Sequence, residues 1–141
     1  MKTKRHFSKA ILAAIRDGHI FGIRAGTQPH RFIGIWAVVM EDRVFVRSWS
    51  LKPRSWHRTF LQEPRGAIMV ADREISVRAV RTKSERLKDA IDRAYVEKYN
   101  TPGSIKYTRD LGRAKSRATT TELVPFSRRS QSRRPVRRAA S

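Results

Sequence analysis

Apolar positions along the chain follow both strand-like and helix-like spacings. The longest apolar run, residues 32–40, is apolar on both sides and predicts a central strand buried on both faces. Glu41 and Asp42 predict a tight turn into a strand over residues 43–49. Val44 and Val46 share one face of that strand, opposite Phe45 and Arg47. Four more strands are predicted, over residues 19–25, 67–71, 75–80 and 119–124.

Three helices are predicted from periodicity and capping residues. Ser8 caps a short first helix, and Pro53 suits the first turn of a second helix that buries Trp56 and Phe60. Thr82 and Glu85 have the spacing of a capping box before the clearest helix. Four apolar residues mark the buried face of that helix: Leu87, Ile91, Tyr95 and Tyr99.

These elements predict an α+β fold. About six strands are joined mostly by short connections, which favours an antiparallel sheet that closes into a small split β-barrel with flanking helices. Residues 104–117 are ambiguous, because a few apolar residues lie among many cations. The pattern predicts one barrel domain over residues 1–126 and a tail over residues 127–141.

The amino-acid composition excludes several classes of protein. The 141 residues contain 32 Lys and Arg against 12 Asp and Glu, a formal net charge of +20. There is no cysteine, which excludes disulfides, thiolate zinc sites and a cysteine nucleophile. No apolar run reaches the length of a membrane span, and the basic first ten residues lack a signal-peptide core. We therefore expect a soluble, cytoplasmic protein without membrane contact.

The tail over residues 127–141 carries six arginines and no acid. It has too little apolar surface to offset the entropy of ordering and is predicted to be disordered. A tail of this kind contacts nucleic acid without sequence specificity by neutralising phosphates. The alternative is a solvated tail that keeps the protein soluble.

Several reaction classes lack their motifs. The four histidines have no metal-ligand spacing, and the chain has no nucleophile elbow and no glycine-rich phosphate loop. A hydrolase with a nucleophile triad is therefore not expected, and no catalytic residue is assigned.

One segment combines cations, hydroxyls and indoles, and it links a strand end to a helix start. Its candidate binding residues are Arg47, Ser48, Trp49, Lys52, Arg54 and Trp56. Backbone N–H groups and cations suit a phosphate, and indole faces suit a flat heterocycle. The same residues suit single-stranded nucleic acid. Alternatively, Trp56 belongs to the core, Trp49 closes the barrel, and the cations are solvated.

A second group lies around the turn before the apolar run. It comprises Arg24, Thr27, Gln28 and His30. Because neighbouring strand ends meet in a small barrel, we expect this turn near the basic-aromatic segment. His30 is a candidate proton donor there.

Six stretches of the chain resemble a bacterial domain family of unknown function over residues 6–125. They are residues 23–27, 32–39, 44–49, 63–67, 94–99 and 119–125. That family is distantly similar to the flavin-binding split barrels, which include pyridoxamine-phosphate oxidases and deazaflavin-dependent nitroreductases. The resemblance rests on the order of a strand, a hydroxyl-rich basic loop, a short helix, a strand hairpin and a long helix.

The resemblance implies a phosphate-bearing cofactor, FMN or a deazaflavin, and a homodimer. The cofactor's phosphate would be held at positions matching Arg47, Ser48, Trp49, Lys52 and Arg54, with Thr27 and His30 contributing from the turn. Two departures stand out. The chain has Leu-Lys-Pro-Arg at residues 51–54 where the oxidases have a Ser-Arg-Lys run, and Thr-Gln-Pro at residues 27–29 where the deazaflavin relatives have a Gly/Lys-rich turn.

The resulting functional prediction is a flavin- or deazaflavin-dependent oxidoreductase of the nitroreductase-like type that reduces a small molecule. Two alternatives stay open. One is a nucleic-acid-binding module that uses the basic-aromatic segment and the basic chain ends, and the other is a barrel without cofactor that acts as an interaction domain.

Overall fold

The computed structural model of the chain describes residues 6–18, 21–26, 31–48 and 55–125. These residues form an α+β fold with seven strands and five helices. The helices are α1 (Lys9–Asp17), α2 (Trp56–Gln62), α3 (Glu85–Lys98), α4 (Ile105–Leu111) and α5 (Ala114–Arg117). The strands are β1 (Phe21–Ala25), β2 (Ile33–Ile35), β3 (Ala37–Met40), β4 (Arg43–Val46), β5 (Arg65–Val70), β6 (Arg73–Arg81) and β7 (Thr121–Pro125).

The strands form one antiparallel sheet in the order β2-β1-β5-β6-β7-β4-β3, and this sheet curls into a nearly closed barrel. The predicted fold class is therefore confirmed, with one more strand and two more helices than expected within the described residues. The two extra helices, α4 and α5, occupy the segment over residues 104–117 that the sequence left ambiguous.

The prediction of one central strand over residues 32–40 is wrong. The run breaks at Trp36 into β2 and β3, which lie at opposite ends of the strand order. β2 pairs with β1, and β3 pairs with β4. Ala37 and Val38 of β3 are buried on opposite sides of the sheet, whereas Ile33 of β2 is 43% exposed.

Two hairpin turns have both central residues in the left-handed region. They are Glu41-Asp42 between β3 and β4, and Ala71-Asp72 between β5 and β6. Two-residue turns of this hand match the twist of paired strands. The first of these turns, at Glu41 and Asp42, was predicted correctly.

The predicted capping box of α3 is wrong, although the helix itself is confirmed. Ser84 is the N-cap, and its side-chain oxygen accepts a hydrogen bond from the Leu87 N–H at 3.1 Å. Thr82 is still in the extended chain that follows β6, where its N–H donates to the Thr120 carbonyl oxygen at 3.0 Å. The N-cap therefore lies two residues later in the chain than predicted.

The described residues form two apolar cores, one on each side of the sheet. The first fills the barrel and is closed by α1 and α2, with Ile68 and Val77 fully buried at its centre. The second lies between the outer surface of β3 and β4 and the apolar face of α3, where Val38 and Phe45 meet Ile91. The face assignment along β4 is thus confirmed: Val44 and Val46 point into the barrel, and Phe45 points toward α3.

None of the helices in the described ranges has the length and apolarity needed to cross a membrane. The predicted domain boundary and the tail over residues 127–141 lie outside the described residues, and so does the start of the first predicted strand. These remain predictions.

Candidate functional site

A cleft of about 220 Å³ opens beside the bend between β2 and β3. It is bordered by the bend, the residue after β4, the first residue of α2, and α4. Its lining is mostly apolar and aromatic: Gly34, Ile35, Trp36, Arg47, Trp56, Tyr107 and Leu111. Pockets of this character are the usual places for a small organic ligand.

Three side chains hold the bend, two from α3 and one from the residue directly after it. The Tyr95 hydroxyl donates to the Trp36 carbonyl oxygen at 3.0 Å. The Tyr99 hydroxyl accepts from the Ala37 N–H and donates to the Ala37 carbonyl oxygen, both at 3.3 Å, and Lys98 Nζ donates to that same oxygen at 2.7 Å. Polar groups that leave the strand ladder at the bend are thereby satisfied, as buried backbone groups must be.

The same contacts perturb the ionisation of these groups. Burial raises the pKa of Tyr99 to about 12, and burial, followed by the neighbouring Tyr99, raises the pKa of Tyr95. Burial lowers the pKa of Lys98 to about 8, partly offset by Asp17. Both tyrosines are therefore neutral hydrogen-bonding groups at neutral pH, and Lys98 is charged there.

Aromatic packing fixes one wall of the cleft. The Trp36 ring stacks on Tyr99 with centroids 4.1 Å apart and planes 4° apart, and it meets the Tyr107 ring edge-on at 6.1 Å. Tyr107 is 37% exposed, so it forms the outer rim of the cleft. The opposite side is formed by Trp56, which is buried and packs edge-on against Phe60 at 6.0 Å.

Arg47 was predicted to bind a cofactor phosphate through its positive charge. In the structure its side chain is 0% exposed. Its guanidinium donates to two side-chain oxygens, Thr120 Oγ1 at 2.8 Å and Asp92 Oδ1 at 2.5 Å. It also donates to two carbonyl oxygens, those of Leu111 at 3.1 Å and Lys88 at 3.0 Å. Four of its five N–H donors are engaged by the protein, so Arg47 ties the end of β4 to α3 and α4.

A second arginine shares the same carboxylate. Arg117 NH1 donates to Asp92 Oδ2 at 2.6 Å, and its NH2 group reaches Glu85 and Asp89, both at 2.8 Å. Arg117 and Arg47 therefore bracket Asp92 and hold α5 against α3. These three acids are at least 25 residues away from Arg117 along the chain, so local sequence patterns did not predict the ion pairs.

Two further predicted residues flank the segment over residues 49–54. Ser48 is buried, and its N–H donates to Thr119 Oγ1 at 2.8 Å. Trp56 begins α2 after the N-cap Ser55, and it belongs both to the barrel core and to the cleft lining. Its neighbour His57 has a lowered pKa, because burial and then the charges of Arg81 and Arg58 disfavour the protonated ring.

The other predicted site residues lie outside the described residues: Thr27, His30, Trp49, Lys52 and Arg54. The proximity of the turn over residues 27–30 to the basic-aromatic segment therefore stays a prediction. Among the described residues, no group of three or more His, Asp or Glu side chains could hold a metal ion.

Five lining residues of the cleft were not singled out from the sequence as a site: Gly34, Ile35, Trp36, Tyr107 and Leu111. The first three were interpreted as part of a continuous buried strand, and the other two fell in the ambiguous segment. A signal was present at Gly34, because a glycine inside a strand pattern often marks a break or a close approach of another group.

The fold and the cleft define a small α+β barrel protein with an aromatic cleft on one edge of the barrel. Residues 10–123 match the family described as "Uncharacterized protein conserved in bacteria (DUF2255)", and the chain belongs to this family. The predicted membership in a bacterial family of unknown function is thereby confirmed.

Among solved structures, the chain is similar to the conserved hypothetical protein Rv2991 from Mycobacterium tuberculosis. The TM-score is 0.55 at 14% sequence identity, and the match covers 92% of this chain and 86% of that one. At this identity the likeness concerns the fold alone. No curated protein sequence matches the chain at a significant level.

Proposed function

We propose that this protein binds FMN or a deazaflavin in the aromatic cleft and acts as an oxidoreductase on a small molecule. The observation that carries the proposal is the convergence of Trp36, Trp56 and Tyr107 on one cleft. Arg47 and Trp56, two of the lining residues, belong to the basic-aromatic segment of the sequence. A bound flavin or deazaflavin supplies the hydride chemistry, and the protein supplies binding and orientation.

The cleft fits one part of such a cofactor. Its apolar and aromatic lining suits a flat ring system. Its volume, about 220 Å³, is below the roughly 300–1,000 Å³ of pockets that enclose a drug-sized ligand, so the phosphate-bearing chain would extend outside it. Since four donors of Arg47 are engaged, Lys52 and Arg54 are the better candidates for holding the phosphate.

The wall of the cleft is preorganised for a planar ligand. Trp36 is fixed from behind by its stack on Tyr99, and its carbonyl is fixed by Tyr95. A ligand ring that enters therefore meets side chains whose positions are already set, which reduces the entropic cost of binding. Among the lining residues that the structure describes, Tyr107 at the rim is the exposed aromatic side chain.

The first experiment is a titration of the purified full chain with FMN and with a deazaflavin, followed by absorbance between about 350 and 500 nm. We expect saturable binding of one of them. Tyr107→Ala is expected to weaken it about 2- to 13-fold, since one aromatic contact contributes about 0.5–1.5 kcal/mol. The matched control is Leu61→Ala, which removes another exposed apolar side chain, 55% exposed and away from the cleft lining.

A second pair of variants tests the phosphate contact. Lys52→Ala with Arg54→Ala should abolish cofactor retention while leaving the thermal midpoint unchanged. Saturable binding that is insensitive to Tyr107→Ala would place the ligand elsewhere. Absence of binding of both cofactors would overturn the proposal and leave the two alternatives, a nucleic-acid-binding module and a barrel that acts as an interaction domain. The homodimer implied by the resemblance is tested by sedimentation of the same sample.

A further inference from the structure

Part of the lining of the aromatic cleft is backbone. Gly34 of β2 lines the cleft and is exposed, and a glycine has no side chain that could cover its own N–H and C=O groups. β2 is the first strand in the order of the sheet and pairs with β1. Among the strands that the structure describes, none pairs with the other edge of β2, so that edge is open to a ligand.

The hydrogen bonds of β1 decide which backbone groups of β2 face the open edge. Gly26 directly follows β1, and its N–H donates to the Arg65 carbonyl oxygen of β5 at 2.6 Å. Residues along an antiparallel strand direct their N–H and C=O groups alternately to one edge and to the other. The even-numbered residues of β1 therefore face β5, and Phe21 and Ile23 face β2.

The same alternation places the backbone groups of Gly34 at the open edge. The register partners of Phe21 and Ile23 are Ile35 and Ile33, whose N–H and C=O groups are used in the ladder with β1. Gly34 lies between these two residues, so its N–H and C=O groups point away from β1. Both groups are then available on the side of the cleft that Gly34 lines.

A tyrosine hydroxyl separates this edge from β4. The ladder between β3 and β4 ends at the pair Ala37 and Val46, and the following pair along the strands is Trp36 and Arg47. There the Tyr95 hydroxyl accepts from the Arg47 N–H at 3.1 Å and donates to the Trp36 carbonyl oxygen at 3.0 Å. The hydroxyl takes the place of a direct ladder bond, and the strands part where the cleft begins.

We propose that the Gly34 N–H and C=O groups bind the amide edge of a planar heterocycle, that is, a ring carbonyl beside a ring N–H. This assignment rests on the proposed function and names the part of the cofactor that the cleft recognises, because FMN and deazaflavins both carry a cyclic imide at the pyrimidine end of the ring system. The Gly34 N–H donates to an imide carbonyl oxygen, and the imide N–H donates to the Gly34 carbonyl oxygen. Glycine permits this close approach of a ligand to the backbone.

An extended peptide carries the same donor and acceptor, but the open edge suits a ring better than a further strand. Strand addition uses a row of backbone groups along an edge. Of the three residues of β2, Gly34 is the one that faces this edge. The next position toward β3 is Trp36, and its carbonyl oxygen is already bound by Tyr95. A single donor and acceptor pair matches the single amide edge of a heterocycle.

The test compares each parent cofactor, FMN and a deazaflavin, with its N3-methyl derivative in absorbance titrations of the full wild-type chain. Methylation removes the imide N–H and leaves the aromatic surface and the phosphate unchanged. We expect affinity for the parent that binds to fall about 5- to 150-fold on methylation, because the Gly34 carbonyl oxygen would be covered without a donor. This comparison needs no variant of the protein, so it does not depend on how a substitution affects folding.

Gly34→Pro tests the donor of the protein, and Gly34→Ala is the matched control that keeps the N–H. Proline is tolerated at an edge strand where the missing N–H faces away from the ladder, so the thermal midpoint of Gly34→Pro should fall by no more than about 4 °C. Ile35→Pro removes a ladder N–H and should lower the midpoint by about 10 °C. Gly34→Pro should weaken binding of the parent cofactor at least about 5-fold and affect the N3-methyl derivative much less, since that derivative has already lost the edge contact.

The outcomes separate this assignment from the proposed function. Tight binding of a parent cofactor that neither N3-methylation nor Gly34→Pro weakens overturns the assignment and leaves the proposed function standing. An equal loss of affinity in Gly34→Ala, or equal midpoint losses in Gly34→Pro and Ile35→Pro, also overturns the assignment. Absence of binding of both parent cofactors overturns the assignment together with the proposed function. Competition by N-acetylphenylalanine amide would identify a peptide ligand at this edge instead.

Discussion

The strongest structural prediction concerns Arg47, whose side chain is fully buried at the junction of β4, α3 and α4. The informative substitution is Arg47→Met, which keeps much of the side-chain length and removes the charge and every donor. We expect a large loss of folding stability, because the arginine satisfies groups on three separate elements.

The size of the loss follows from the partners that would be left behind. The carbonyl oxygens of Leu111 and Lys88 would lose a donor, and a buried unsatisfied acceptor costs about 1–3 kcal/mol. Removing one member of a buried ion pair costs about 3–5 kcal/mol. Asp92, however, keeps Arg117 at 2.6 Å and is 33% exposed. We therefore expect the low end of the range, about 3 kcal/mol.

The assay is urea unfolding followed by tryptophan fluorescence and circular dichroism, with the thermal midpoint as a second measurement. For a domain of this size, 1 kcal/mol corresponds to about 3–5 °C, so the midpoint should fall by about 10–15 °C. Arg113→Met is the matched control. Its side chain is 76% exposed and 3.5 Å from Asp110, so its removal should cost less than about 1 kcal/mol.

A loss in Arg47→Met no larger than that in Arg113→Met would refute the role of Arg47 as a buried structural tie. Arg47→Lys provides a graded comparison, since lysine keeps the charge near Asp92 but lacks the planar fork. The free energy of unfolding of Arg47→Lys should lie between those of the wild type and Arg47→Met.

Three further predictions concern other elements. Ser84→Ala should cost about 1 kcal/mol of unfolding free energy, because the N–H of Leu87 loses its capping oxygen. Gly66→Ala should cost at least about 1–3 kcal/mol, because a Cβ there would lie 2.4 Å from the Arg24 carbonyl oxygen. Lys98→Met should flatten the rise of stability with pH between about pH 8 and 9.5. The pKa of Lys98 is lowered to about 8 by burial, so the unfolded chain binds more protons there and wild-type stability increases with pH.

Each of these predictions has a control within the chain. Ser84→Asp should keep nearly all of the stability, because aspartate caps as well as serine. Gly103→Ala should be near neutral, since nothing lies within 4 Å of an added Cβ. Lys106→Met removes an exposed lysine and should leave the pH profile unchanged. Urea unfolding at fixed pH measures the first two pairs, and unfolding at pH 7, 8.5 and 9.5 measures the third.

The elements that could be predicted from the sequence are those whose signals are local. The apolar spacing of Leu87, Ile91 and Tyr95 predicted α3, because residues three and four apart share a helix face. The strand predicted over residues 75–80 lies within β6, which covers Arg73–Arg81. The short connections between the predicted strands favoured an antiparallel barrel, and the structure confirms a nearly closed antiparallel barrel.

The candidate site is formed by contacts between distant segments of the chain, so only part of it could be predicted from the sequence. Arg47 was predicted as a binding residue because its neighbours in the sequence are basic and aromatic. Its hydrogen-bond partners Asp92 and Leu111, however, are 45 and 64 residues away along the chain. Tyr107 joined the cleft only through the position of α4 against the bend. Local sequence patterns do not specify contacts between residues that are so far apart along the chain.

By itself, the sequence determined the α+β class, the main helix, most strand positions and the basic character of the protein, because these follow from periodicity and composition. Only the tertiary structure decided that the chain bends at Trp36 and that its two halves form opposite edges of the barrel. It also decided that Tyr95, Tyr99 and Lys98 satisfy the backbone at the bend. The physical reason is that a break in an apolar run becomes stable only when distant side chains supply the hydrogen bonds that the strand ladder no longer provides.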